Sequence, residues 1–261
     1  MVIVIIGVIG AAMAVFMKSP IDAYLDSARR ARLTDVADNT LRRMTRDIRS
    51  ALPNSLRQTS GSNSVNSQCI EFIPTKTGGR YRAEVDATGD GDVLRFDAAD
   101  NSFDMFGPNS ALPDQAIVAG DLVVIYNLGV PGADVYAPLN PNVSAVTQVS
   151  AGSLPNETKL SINTLQFPLA SGSNRFQVIP GNQKIVSYVC SGGNLYRNFN
   201  YAYTNSCPVS GGDLVAKDAS CTFVYNGSDL QRNALVQIKI ALTSGGETVS
   251  LYHEVHVDNT P

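Results

Sequence analysis

Residues 2–17 (VIVIIGVIGAAMAVFM) carry no polar side chain, and Lys18 is the first charge. Beyond Pro20 the pattern turns periodic. Leu33, Val36, Ala37, Leu41, Met44, Ile48 and Leu52 recur every three or four residues, which draws one apolar stripe along a helix. Pro53 closes it. Residues 54–68 are small, polar and unpatterned, as a linker or surface loop would be. From Cys69 the period falls to two. The runs CIEFI, DVLRF, DLVVIYNL, KLSINTLQF, RFQVI, KIVSYVC, NLYRNF and CTFVY stand between clusters of Gly, Pro, Asn and Asp, as in an antiparallel sheet. KIVSYVC and NLYRNF, joined around Gly192 and Gly193, read as a hairpin. At the chain end Val236, Ile238, Ile240 and Leu242 share one strand face. Val249, Leu251, His253, Val255 and Val257 share that of the returning strand.

These patterns predict an α+β protein in three parts. Residues 1–52 form a long helix, with 1–17 transmembrane and 20–52 amphipathic; residues 53–68 link; residues 69–261 make a β-rich head. At 1.5 Å per residue the apolar run spans roughly 25 Å, slightly short of the ~30 Å hydrocarbon core of a bilayer. Pro20 kinks the helix or divides it.

Charge sharpens the picture. The whole chain is at −3, but residues 18–57 hold nine basic and five acidic side chains, leaving 11 basic and 18 acidic elsewhere, a local +4 against −7. A basic segment after an apolar one, then an acidic body, is the layout of an anchored protein. The acidic body disfavours nucleic acid as a partner, and 44% hydrophobic residues exclude a disordered chain.

Cys69, Cys190, Cys207 and Cys221 contain no CxxC pair, which weakens a zinc or redox reading. In an oxidising compartment they pair. Cys207 and Cys221 enclose a Gly-rich stretch whose closure is worth roughly 3 kcal/mol, so they are expected together, leaving Cys69 with Cys190. Four buried thiols are the alternative.

Catalytic chemistry is hard to build here. His253-Glu254-Val255-His256 lacks one residue of an HExxH motif, and on a strand the two imidazoles face opposite ways. Asp86, Asp90, Asp92 and Asp97 approximate a calcium loop with Gly91 at the sixth position, but Thr88 stands where Asp or Asn is usual and no flanking helices are visible. A plain acidic turn is the stronger reading. With two His on one strand and no nucleophile or phosphate motif, no enzyme, cofactor or resident metal is expected. Tyr196, Phe199, Tyr201 and Tyr203 form a contact patch or, more commonly for such residues, pack the sheet.

The segment VIVIIGVIGAAMAVF, its continuation PIDAYLDSARRARLTDVADNTLRRMTRDIRSALPNSLR, and the blocks CIEFIP, GGRYR and HEVHVDNTP resemble the type IV pilin and pseudopilin family, in particular minor pilins of the mannose-sensitive haemagglutinin (MSHA) type. The resemblance covers essentially the whole chain, and the first 57 residues carry its specific part. It implies a pilin-like fold, a long helix packed on an antiparallel sheet head with long loops. It implies a bacterial protein with its helix in the inner membrane, its head in the periplasm, and later incorporation into an extracellular pilus. Val2, Ile5, Ile6, Val8, Ile9, Ala12, Val15 and Phe16 would pack first in the membrane and then among the helices of other major and minor pilins, with the pilus assembly platform as a further partner. Small residues such as Gly7 and Gly10 would let those helices approach closely. The family's prepilin leader and its Phe-Thr-Leu-Ile-Glu start would lie immediately before Val2, so the true start is expected upstream. The implied role is non-enzymatic, to initiate or cap an MSHA-type pilus. The alternatives are a filament-tip module binding a surface or glycan through long loops between Gly107 and Ser173, and a type II secretion pseudopilin.

Overall fold

A computed structural model describes residues 2–58, 68–137, 141–202, 207–209, 211–226 and 233–261. Helix α1 (Val2–Arg49) runs unbroken through Pro20, whose missing N–H leaves the Phe16 carbonyl without its intrahelical donor. It stops before Pro53, which disfavours a helical conformation at Leu52, and the Ser50 amide closes the last turn on the Arg46 and Asp47 carbonyls at 3.3 and 3.1 Å. Arg46 and Arg49 sit at the negative end of the helix dipole.

Thirteen strands follow among the described residues: β1 (Cys69–Phe72), β2 (Thr77–Arg80), β3 (Asp100–Phe106), β4 (Leu122–Ile125), β5 (Val143–Ala151), β6 (Glu157–Leu165), β7 (Arg175–Ile179), β8 (Val186–Ser191), β9 (Asn194–Phe199), β10 (Asp213–Ala216), β11 (Ala219–Asn226), β12 (Asn233–Ser244) and β13 (Glu247–Asp258). They make three antiparallel sheets, of order β1-β8-β9-β10, β2-β7-β4-β5-β6-β3 and β11-β12-β13. This corrects the α+β expectation of a pilin-like helix laid on a single sheet head with long loops: strands in three sheets carry most of the regular structure. Between Gly107 and Ser173, β4 and β6 fall in the expected runs DLVVIYNL and KLSINTLQF, and β5 is a further strand in a stretch also expected as long loops. β5 mixes Ser, Thr and Gln with its apolar residues and buries Ser144, so it shows no clean apolar alternation. Conversely, DVLRF is irregular, and the neighbouring strand is β3.

Two tight turns need glycine. Gly192 and Gly193 (φ 56° and 78°) join β8 to β9, and Gly245 and Gly246 (φ 56° and 83°) join β12 to β13. Both residues of each two-residue loop have positive φ, the condition for a hairpin turn that follows the strand twist.

One core gathers Ala37, Leu41, Met44 and Ile48 of α1 with Ile70, Tyr188, Phe223, Val236, Ile238, Ile240, Val255 and Val257. The helix therefore packs on β12 and β13 only along its second half, from the half-buried Leu33 onward. A second core lies on the six-stranded sheet around Tyr81, Phe103, Phe167 and Phe176, and a third, smaller one with Leu52, Ile73 and Ile185 joins the two regions.

The disulfides differ from expectation. Cys69 pairs with Cys207 and Cys190 with Cys221, at Cα separations of 6.5 and 5.8 Å. Register explains why Cys69 does not meet Cys190. Cys69 lies opposite Val189, so Cys190, one residue on, points to the other face of the sheet. From there it reaches Cys221 of β11 and ties the first sheet to the third. Replacing Cys190 and Cys221 together by Ala should lower the free energy of unfolding by about 3–4 kcal/mol for a loop of this length, read by urea unfolding under oxidising conditions. An unchanged midpoint would contradict the cross-link.

Candidate functional site

Among the described residues, nothing covers the first half of α1. Val2, Ile3, Val4, Ile5, Ile6, Val8, Ile9, Met13, Phe16, Ile21, Tyr24 and Leu25 are each at least half exposed, Ile3 and Phe16 by 86% and 85%. Ala12 is exposed as well, and a Cβ at Gly7 or Gly10 would meet nothing within 4 Å. The side chain of Val15 lies outside the described residues. Residues 2–25 run along about 36 Å of helix. An apolar surface of that length exceeds the patches that monomeric proteins leave in water.

Among the described residues no helix is long and apolar enough to cross a membrane. The expected transmembrane segment at 1–17, and the inner-membrane anchoring and periplasmic placement drawn from it, are corrected accordingly. Lys18, Asp22 and Asp26 charge the turns that follow the apolar run.

Where the helix meets the body, charge fixes the approach. Arg30 donates two hydrogen bonds to the Glu247 carboxylate, at 2.8 and 3.0 Å, and Arg29 reaches the Gly245 carbonyl at 3.3 Å. The β12–β13 turn is thus latched to the point at which the apolar segment emerges. The Arg30 guanidinium holds the Glu247 carboxyl below its ordinary range.

Further along, α1 and β13 enclose a groove of about 620 Å³ lined by Asp38, Leu41, Arg42, Thr45, Arg46, Arg49, Leu251, Tyr252 and His253. Asp38 is engaged by Arg42 at 2.7 Å, whereas Arg46 and Arg49 make no ion pair among the described residues. The Thr45 hydroxyl is buried there with no hydrogen-bond partner. Arg42, Arg46 and Arg49 stand exposed on α1. Their spacing of three and four residues was visible, but the strand opposite them was not.

A cleft of about 1030 Å³ lies at the helix end, between Asp47, Lys76, Asp121 and Arg197. Four of its charges are paired within it: Arg197 and Tyr188 both donate to Asp47 at 2.8 Å, and Lys76 pairs with Asp121 at 2.5 Å, while Arg46 and Asp114, which also line it, make no ion pair among the described residues. Burial, then the Asp47 carboxylate, push the Tyr188 phenol up.

Of the calcium-loop residues Asp86 and Asp90 come together, each with a carboxylate oxygen 2.7 or 2.8 Å from the Thr88 hydroxyl, whereas Asp92 and Asp97 are engaged elsewhere. Asp86 caps its own turn, accepting from the Thr88 and Asp90 amides at 2.9 and 2.8 Å; Asp92 faces Lys159 at 2.8 Å; Asp97 pairs with Arg95 at 3.2 Å. Among the described residues no three His, Cys, Asp or Glu side chains converge as metal ligands. His253 and His256 both lie on β13, facing Ile238 and Leu235 across the ladder.

Of the aromatic set, Tyr203 lies outside the described residues, and Phe199 is exposed beneath Arg197. Tyr201 donates to Glu71 at 2.5 Å. Glu71 is fully buried on β1, with Arg57 2.5 Å away on its other oxygen. Burial raises the Glu71 carboxyl above its ordinary value despite both donors.

No protein family, curated protein or solved structure matches the chain.

The Glu71 cluster has a pH signature. Its raised folded value means the native state holds the proton more tightly than the unfolded chain. Its contribution to stability is therefore full below the unfolded value and is lost as pH rises through the folded one. Tyr201→Phe removes a donor to the ionised form, so it should cost about 1–3 kcal/mol near pH 7 and less near pH 4. Urea unfolding at both pH values checks this. An equal cost at both would contradict it.

Proposed function

We propose that the chain is a non-enzymatic assembly subunit that joins a filament by packing the exposed half of α1 against the helices of neighbouring subunits. The observation that carries the reading is the set of twelve large apolar side chains left in solvent between Val2 and Leu25. On a 48-residue helix, they need partners of the same kind. Burial of one such side chain is worth about 1.5–3 kcal/mol, so helices that exchange water for one another gain strongly with each subunit added. The stripe covers all sides of the helix, which suits a bundle with several neighbours better than a single seam. Gly7 and Gly10 leave open surface for close approach.

The particular form of this reading is a minor-pilin-like subunit that helps initiate or cap an MSHA-type pilus, with other pilins and the assembly platform as partners. It is supported by the resemblance of residues 2–57 to that family.

Replacing Ile5 and Ile9 by Gln keeps helix propensity and removes two exposed apolar side chains. Sedimentation of the full chain should show the wild type as oligomers or filaments and the variant with association weakened about a hundredfold or more, while urea unfolding of the β body is unchanged. Undiminished association of the variant would refute the reading.

A further inference from the structure

The arginine groove and the acidic turn of this fold are complementary surfaces that cannot meet within one copy's own sheets, since one lies on α1 and β13 and the other beside β3. We infer that the acidic turn at residues 84–90 of one copy docks into the α1–β13 groove of the next, giving a head-to-tail contact between subunits. The inference rests on the assembly reading above and adds a second, polar contact to it.

The groove has what an anionic guest needs. Arg46 and Arg49 are exposed on its helix wall, His253 stands on its strand wall, and the orphaned Thr45 hydroxyl, at 9% exposure, lines it between them. Asp38 is the one acid in the lining, and Arg42 already engages it. Tyr252, at the rim, donates to Glu254 at 2.5 Å.

The turn has what a guest needs to enter without a large ordering cost. The Asp86 carboxylate accepts from the Thr88 and Asp90 amides, the Asp86 amide donates to the Asp90 carbonyl at 2.8 Å, and that of Gly89 to the Asp86 carbonyl at 3.1 Å. The resulting knob is rigid and presents exposed Glu84 and Asp90, with Val85 53% exposed beside them. A preformed loop loses little freedom on binding. The larger charge balance points the same way, +4 over residues 18–57 against −7 for the rest. A contact that uses two different patches is heterologous. It propagates into an open chain unless the rotation closes a ring.

The test uses the full chain and two charge-reversal variants, Arg46→Glu with Arg49→Glu, and Glu84→Arg with Asp90→Arg. Self-association is measured by sedimentation in about 50 mM and about 500 mM salt, where exposed charges are weakly and strongly screened. The wild type should associate about tenfold more tightly in low salt. Each variant alone should lose that salt-dependent gain. An equimolar mixture should recover it, because one partner keeps its groove and the other its knob. Recovery also shows that both variants are folded. If both variants associate as the wild type does in low salt, the groove contact is wrong while assembly through α1 stands. If the wild type does not associate at either salt, the assembly reading falls and this contact with it.

Discussion

An apolar helix half that its own chain leaves in water is the constraint on which the rest depends. Among the described residues nothing buries that surface, because the body ends its grip on α1 at the Arg29 and Arg30 latch to the β12–β13 turn. In a folded protein most of a helix's stability comes from packing one of its faces rather than from intrinsic propensity. The second half of α1 therefore acts as a clamp. Ala37, Leu41, Met44 and Ile48 sink into the core shared with β12 and β13, and the first half is held out from it.

The body is built to keep that clamp fixed. Cys190–Cys221 ties the first sheet to the third beneath the helix, and Cys69–Cys207 fastens the edge strand β1. The buried Glu71, held by Arg57 and Tyr201, joins the segment after the helix to β1 through the paired Arg57 and Glu71 backbones at 2.9 Å. Breaking such a group's partners is more costly than never having placed it, so it specifies one arrangement of helix end and sheet. A subunit whose helix must present one surface to its neighbours needs that definition.

How much of this could be read from the chain differs by element. The helical stripe from Leu33 to Ile48 was visible because burial on one side leaves a three- and four-residue period. Val36, on the margin of the stripe, is 40% exposed. The closing hairpin was legible through its alternation and its Gly245–Gly246 turn. Strands β3 and β5 were not, since DNSFDMF buries Asp104 and VSAVTQVSA buries Ser144, which breaks the alternation of apolar and polar positions. The disulfide partners were invisible for a related reason: a one-residue register step decides which face Cys190 occupies, and loop closure alone carries no register. The membrane reading takes an apolar run as a span, whereas no helix among the described residues is long and apolar enough to cross a membrane. The groove escaped notice because half of its wall comes from β13, more than two hundred residues away in the chain.

Hydrogen exchange of the α1 amides as a function of protein concentration tests the central claim most directly. If residues 2–25 are a packing surface, their amides should exchange quickly in dilute protein and become protected as concentration rises, while those of residues 37–48 stay protected throughout. Protection of residues 2–25 that does not change across the concentration series would contradict the account.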